Sequence, residues 1–450
     1  MKDDHRQKIS GPAHEIRMCS PTDLTPYAGN ARTHSARQIR QIADSITRFG
    51  FTQPVLVDGD GMIVAGHGRV AAAKLLGLPE VPTLSLAHLS AAERRAYILA
   101  DNKLAQNAGW DADLLAIELQ GLIEIGFDLE LTGFSLAEID FNLDAVRDRR
   151  PDAPEHEDRL PAEAQGPAIT RTGDLWELGA HRLLCGDARA ASDLDRLMAG
   201  AQADLIFTDP PYNVMIDGHV TGLGRHRHRA FAMAAGEMTD VEFTAFLTET
   251  LGNAARVARD GAIAFVCMDW RHMSELLTAG ASVFGELKNL CVWNKTNGGM
   301  GTFYRSKHEL VFVFKIGTAP HTNSFGLGES GRYRTNVWDY AGVNVPGRAS
   351  EEALAMHPTV KPVALIADAL RDCSRRGEIV LDLFGGSGST LIAAESCGRR
   401  ARLLELDPLY CDTILRRWRT YSGKSARRVA DGLTFEEAKM EAIGSEVARS

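Results

Sequence analysis

The chain lacks any Cys-x-x-Cys pair, and its seven cysteines are odd in number and scattered. That excludes a disulfide framework and a zinc knuckle, and leaves reduced, buried thiols as the expectation; no metal is called for. Long hydrophobic runs are missing too. Apolar stretches such as residues 261–268 are strand-sized, far short of the roughly 20 residues a spanning helix requires, so no membrane segment is expected. The opening MKDDHRQKIS carries charges with no apolar stretch behind them, which argues against a secretory signal and for a cytoplasmic location. Nor is there an excess of positive charge. Lys and Arg number 50 against 59 Asp and Glu, a formal charge of −9, which excludes coating nucleic acid by bulk electrostatics while leaving a local basic groove open.

What remains is an ordinary globular composition, 44% hydrophobic and 24% charged over 450 residues, long enough for two or three domains. The segment QIRQIADSITRFGF places Ile39, Ile42, Ile46 and Phe49 at helical spacing. QPVLVDGDGMIVAGHGRVAAAKLLGL then reads as strand, Asp-Gly-Asp-Gly turn, strand, glycine loop and helix, and PEVPTLSL as a further strand. A helical stretch follows to Val146. Residues 1–147 are thus expected to form a small α/β domain with a helical extension. Residues 148–167, rich in proline and charge and poor in apolar side chains, are expected to be a flexible linker. Residues 168–423 read as a second domain and residues 424–450 as a peripheral tail. In the second domain ADLIFTD, GAIAFVCM, HELVFVFKIG, EIVLDLF and ARLLELD are near-continuous apolar strands alternating with helices. That pattern predicts a parallel sheet covered on both faces.

Two turns carry the chemistry. Asp382-Leu383-Phe384-Gly385-Gly386-Ser387-Gly388-Ser389 lies where a strand feeds a helix, the place where backbone N–H groups approach a ligand. No Lys follows the glycines, so it is not a phosphate-binding loop of the Walker type, and its spacing does not fit a nucleophile elbow. Glu405, about 20 residues on at the end of the next strand, suits ribose hydroxyls. The second turn, Asp209-Pro210-Pro211-Tyr212, ends a buried strand. As a bland turn it needs no function. A nucleobase amine, however, is a poor nucleophile whose lone pair is delocalised, and two acceptors can hold its hydrogens and free that pair. Asp209 and the Pro210 carbonyl supply them, successive prolines fix the carbonyl's direction, and Tyr212 offers a face for a base.

TDPPYNV, HPTVKP at residues 357–362, and VLDLFGGSGST followed by ELDPLYCDTILRRW resemble the N6-adenine/N4-cytosine DNA methyltransferases in their β-type motif order. The resemblance spans about residues 169–421. It implies a Rossmann-like domain binding S-adenosylmethionine, with Phe384, Gly385, Gly386 and Gly388 beside the cofactor in the turn opened by Asp382, and Glu405 on the ribose. It further implies Asp187 at the cofactor adenine and Thr359 and Lys361 near its methionine portion. Double-stranded DNA is the implied partner, the base being flipped out for methylation in the manner of a restriction-modification enzyme. Target recognition is expected within residues 213–356, where Arg225, Arg227, Arg229, Arg305 and Lys307 are candidate DNA contacts. An aspartate opening the PPY motif favours adenine N6 over cytosine N4. The sequence is compatible with a homodimer without requiring one.

Residues 21–107 resemble the ParB/sulfiredoxin-like fold, with GHGR at residues 66–69 in the glycine loop before a helix. The glutamate, paired arginines and cysteine of those families are absent there, which points to a DNA-positioning module, with Arg69 and Lys74 as candidate phosphate contacts. The expected architecture is therefore α/β, a Rossmann-like methyltransferase domain preceded by a smaller ParB-like domain. The competing reading is a partition-like adaptor whose second half has lost activity; the intact DPPY and FGGSG argue against it. Methylation of protein glutamine is disfavoured by Asp209, since that branch opens its motif with asparagine.

Overall fold

The computed structural model describes residues 15–147, 157–161, 166–214, 236–296, 298, 303–325, 333–342 and 360–447. The chain divides into two compact units, Met1–Ser135 and Leu136–Ser450.

In the first unit β1 (Ile16–Cys19), β2 (Val55–Val57), β3 (Ile63–Ala65) and β4 (Val81–Ser85) form a sheet of order β1-β4-β2-β3. β2 runs parallel to β4 and antiparallel to β3. Asp58 closes the hairpin: its Oδ1 accepts the Asp60 and Met62 N–H groups, and its Oδ2 takes Arg94 at 2.6 Å. Helices α1 (Ala36–Phe49), α2 (His67–Leu75), α3 (Ala91–Asn107) and α4 (Ala112–Glu124) complete the unit. Its core is Leu24, Val55, Val57, Ile63, Val70, Ala73 and Val81. Arg69 is tied into its own unit. Its guanidinium donates to the Pro54 carbonyl at 2.8 Å and to the Gln53 side chain at 3.0 Å, anchoring α2 to the start of β2. Lys74 is exposed.

The second unit begins with helix α5 (Leu136–Arg147). The first domain was expected to run to residue 147, but contacts divide the chain at Ser135. The physical reason is Asp140, buried and ion-paired to Arg399 at 3.0 Å and Arg376 at 2.9 Å. The expected linker is also not wholly free chain. Residues 157–161 lie against this unit: Leu160 is buried, the Glu157 carbonyl accepts from the buried Arg417, and Asp158 Oδ1 accepts the Val363 N–H. Those backbone and side-chain bonds supply the ordering that the scarce apolar residues do not.

The sheet has ten strands in the order β11-β9-β10-β8-β7-β12-β13-β6-β5-β14. They are β5 (Leu175–Leu178), β6 (His181–Cys185), β7 (Ala203–Thr208), β8 (Ala258–Met268), β9 (Glu286–Asn294), β10 (His308–Lys315), β11 (Val337–Asp339), β12 (Ile379–Asp382), β13 (Arg400–Glu405) and β14 (Arg427–Arg428). The sheet is mixed, which corrects the all-parallel expectation. β8, β7, β12, β13 and β6 are parallel neighbours, whereas β10 is antiparallel to both β8 and β9, and β5 to both β6 and β14. Periodicity shows that a strand is buried on both faces but not its direction, and direct β9–β10 and β5–β6 connections reverse the chain.

Both faces are covered, as expected. Along β7, Leu205 and Phe207 point into a core shared with α9 (Val363–Cys373), α10 (Ser389–Cys397) and α11 (Pro408–Ser422). Ile206 points into the opposite core, with α6 (Ala191–Met198), α7 (Asp240–Arg256) and α8 (Met273–Val283). This is the period-two alternation of a strand between two helical layers. A terminal helix, α12 (Phe435–Val447), packs Phe435 and Ala438 into the first of these cores. All seven cysteines are free, and all but Cys19 are buried. Among the described residues no helix is long and apolar enough to cross a membrane.

Candidate active site

The site is built at the carboxyl ends of four adjacent parallel strands. In the order β7, β12, β13, β6 these ends carry Asp209, the glycine turn, Glu405 and Asp187. Three strand spacings of roughly 4.8 Å put about 14 Å between the first and last, the length of an extended nucleoside with a side chain. The connection from β7 leads to β8 on one side and that from β12 to β13 on the other, so a crevice opens between them, the usual ligand position in such sheets.

Asp382 joins the two motifs. Its Oδ1 accepts the Thr208 hydroxyl at 3.1 Å and the Phe384 N–H at 3.1 Å, and its Oδ2 the Thr390 hydroxyl at 2.7 Å. Burial pushes its carboxyl up to about 7 against the pull of those bonds. Sequence placed Asp382 in the cofactor turn; the structure shows its side chain turned inward, locking that turn to the residue preceding Asp209. The glycines are there for two reasons. Gly386 and Gly388 take positive φ, 51° and 83°, and a Cβ on Gly388 would come 3.2 Å from Ile414 of α11. Arg417, buried on α11, donates to the Ser387 carbonyl at 3.0 Å and the Ser389 hydroxyl at 3.1 Å, clamping the turn from behind.

Glu405 faces the same turn. One oxygen accepts the Gly386 N–H at 2.7 Å, the other the Asp407 N–H at 2.8 Å, and burial raises its carboxyl to about 7. Asp187 is held by Arg189 at 2.7 Å; burial works against it, but the Arg189 hydrogen bonds keep its carboxyl below the usual range. The ring of Phe384 is partly buried, 6.0 Å from Phe246. Gly388 is the N-cap of helix α10 and offers no side-chain hydrogen bond to its first N–H groups. Aligned acids, a close backbone and an open helix start fit an adenosine-bearing cofactor with a carboxylate.

Asp209 and Tyr212 sit beside this turn within a charged network. Lys361 Nζ lies 2.6 Å from Asp209 Oδ2, 2.8 Å from Glu309 Oε2 and 3.0 Å from the Tyr212 hydroxyl. The Tyr212 hydroxyl donates to Asp209 Oδ1 at 2.6 Å. Lys295 pairs with the other oxygen of Glu309, and both lysines lie over the Trp293 ring. Burial raises the Asp209 carboxyl, opposed by Lys361; it raises the Tyr212 hydroxyl further. Burial would raise Glu309 as well, but two lysines bring it down to about 2.

Lys361, expected near the cofactor's methionine portion, thus places its ammonium on Asp209 and Glu309. Pro210 is buried and Pro211 partly so. Arg305 and Lys307 are exposed in the loop leading into β10. Thr359, Arg225, Arg227 and Arg229 lie outside the described residues. Sequence reasoning missed Glu309 and Asn213. Glu309 had a signal: an acid in the apolar strand HELVFVF must be paired if buried. Asn213 adopts φ 52°, and its side chain bonds the Gly236 and Met238 backbone, tying the DPPY turn to the segment entering α7. Asparagine is among the few side chains that take this conformation readily.

Comparison with known proteins finds relatives of both units of the chain. A family model described as DNA methylase matches residues 203–416. A ParB N-terminal domain model matches residues 5–103, and a ParB-methyltransferase HTH domain model residues 113–172. The last spans what sequence had read as helical extension and linker. The ParB-like nuclease domain-containing protein YnaK of Escherichia coli (strain K12) is 53% identical over 68 residues, 15% of this chain and 78% of that protein. The type II methyltransferase M.HinfI of Haemophilus influenzae is 25% identical over 231 residues, 48% of this chain and 63% of that protein. The crystal structure of an M1.HpyAVI–SAM complex aligns with a TM-score of 0.39 at 19% identity, covering 52% of this chain and 97% of that one. Motif order, strand-end geometry and family match together place residues 203–416 in the N6/N4-type DNA methylase family, which uses S-adenosylmethionine, here joined to an N-terminal ParB-type domain.

Proposed function

We propose that the second unit methylates the exocyclic N6 of an adenine flipped out of double-stranded DNA. The observation that carries this reading is the placement of Asp209 at the end of β7, locked through Thr208 and Asp382 to the glycine turn on the neighbouring strand. Phe384, Gly385, Gly386, Gly388, Glu405 and Asp187 hold S-adenosylmethionine, which when bound supplies an electrophilic methyl group. Asp209 and the Pro210 carbonyl accept the two amine hydrogens, so the nitrogen lone pair leaves ring conjugation and faces the methyl. Much of the acceleration then comes from alignment of nucleophile and methyl. Flipping costs a few kcal/mol, and contact with the Tyr212 side chain offsets about 1–3 kcal/mol of it. Residues 213–356, Arg305 and Lys307 among them, read the target, and the ParB-type domain positions the DNA in a cytoplasmic enzyme.

Adenine rather than cytosine is supported by the aspartate that opens the motif. The test is to methylate DNA, digest it to nucleosides and weigh them. N6-methyladenine is expected, and N4-methylcytosine alone would overturn the base assignment. Asp209→Ala should abolish transfer while S-adenosylmethionine still binds; full activity in that variant would refute its role.

A further inference from the structure

Each oxygen of Asp209 already carries a short bond in this arrangement, so an amine must share it. Its Oδ2 receives the Lys361 ammonium at 2.6 Å and its Oδ1 the Tyr212 hydroxyl at 2.6 Å. A charge-assisted bond of that length outcompetes the N–H of a neutral base amine. Yet Lys361 is itself only 4% exposed, so it cannot simply leave for water, and an unpaired buried ammonium is strongly disfavoured. A second carboxylate stands ready. Glu309, 8% exposed on β10, has Oε2 at 2.8 Å from the same ammonium, while Lys295 occupies its Oε1. Lys361 therefore lies between two acids contributed by different strands, and a short movement transfers it from shared to single ownership.

We propose that Glu309 is a positioning residue that takes sole hold of Lys361 when the target amine displaces it from Asp209, opening Asp209 without stranding a buried charge. This rests on the reading of Asp209 as the amine acceptor. The groups facing Asp209 are Lys361 ahead of α9, Glu309 on β10, Tyr212 on its own turn, Cys267 on β8 and Asp382 on β12. Lys295 lies behind Glu309. Two lysines and the two acids they touch balance in charge, so the handover changes partners and leaves net charge unaltered.

The test measures pH profiles of kcat and kcat/KM for DNA in the full chain, with Glu309→Gln and Lys361→Met. In Glu309→Gln the ammonium has no other acid to move to, so kcat should fall by about tenfold or more. At the same time the acid limb should move to lower pH, because Asp209 loses a neighbouring negative charge and keeps the lysine. In Lys361→Met the acid limb should move to higher pH, since the neutralising cation is gone. A Glu309 that acts only through its charge would shift the limb while leaving kcat at the pH plateau unchanged, and that outcome also overturns the proposal. An unshifted or upward limb in Glu309→Gln, or an unshifted or downward one in Lys361→Met, overturns the proposal. Thermal unfolding and S-adenosylmethionine binding verify that each variant folds, and if Glu309→Gln does not, Glu309→Asp, whose shorter side chain falls short of Lys361, replaces it with the same expected fall in kcat. Asp209→Asn separates the two ideas: full activity there sinks the amine-acceptor reading itself, whereas its inactivity beside unshifted profiles sinks only the role of Glu309.

Discussion

Replacing Asp382 with asparagine tests the electrostatic account of the site directly. The side chain is 3% exposed, and its carboxyl is pushed up to about 7 from an ordinary 3.8. Its folded-state pKa lies above the unfolded one, so its contribution to stability is fully present below about pH 4 and is lost as pH rises through about 7. Between about pH 5 and pH 8 that loss amounts to roughly 2–3 kcal/mol, at 1.36 kcal/mol per unit. Asparagine keeps an oxygen for the Thr208 hydroxyl and the Phe384 N–H, and the Thr390 hydroxyl can turn to accept from its amide, so the bonds survive while the titration disappears. Glu405, also raised to about 7 by burial, is pushed up in part by the Asp382 charge; in the variant its carboxyl lies lower, which adds to the difference in the same direction. Urea unfolding at the two pH values, followed by fluorescence to which the fully buried Trp176 and Trp418 contribute, reads the effect. The stability of the variant relative to wild type should improve by the stated amount on going to the higher pH. Stability curves that run parallel would refute the assignment of a raised Asp382.

Asp140→Ala should cost about 3–5 kcal/mol, because Arg399, 1% exposed, is left without its carboxylate; a thermal shift no larger than that of a surface substitution would count against placing α5 with the second unit. Gly388→Ala forces a left-handed φ at about 1–2 kcal/mol and drives a Cβ toward Ile414, so both melting temperature and S-adenosylmethionine affinity should drop, and an unchanged calorimetric titration would contradict the packing argument.

Much of the site was legible because its motifs are local. Asp-Pro-Pro-Tyr and the glycine turn each occupy one strand-to-loop junction, and the apolar runs before them mark buried strands whatever their neighbours. Glu405 followed from its spacing behind the glycines. Glu309 did not, because its meaning depends on Lys361 and Lys295, which approach from other segments of the chain. The same holds for Asp140, read as part of a separate domain until its partners Arg376 and Arg399 stood beside it. Arg69 was read from its glycine loop as a candidate phosphate contact, and only the fold shows that its guanidinium also bonds the Pro54 carbonyl and the Gln53 side chain.

By itself the sequence determined which strands are buried, which turns are candidates for the chemistry and in what order along the chain they occur, since these depend on residues a few positions apart. Strand direction, the side-by-side order β7, β12, β13, β6 and the capture of Lys361 between Asp209 and Glu309 were decided only by the tertiary structure. The reason is physical: a buried charge is tolerated only where an opposite one is brought to it, and sequence separation does not say which charges will meet.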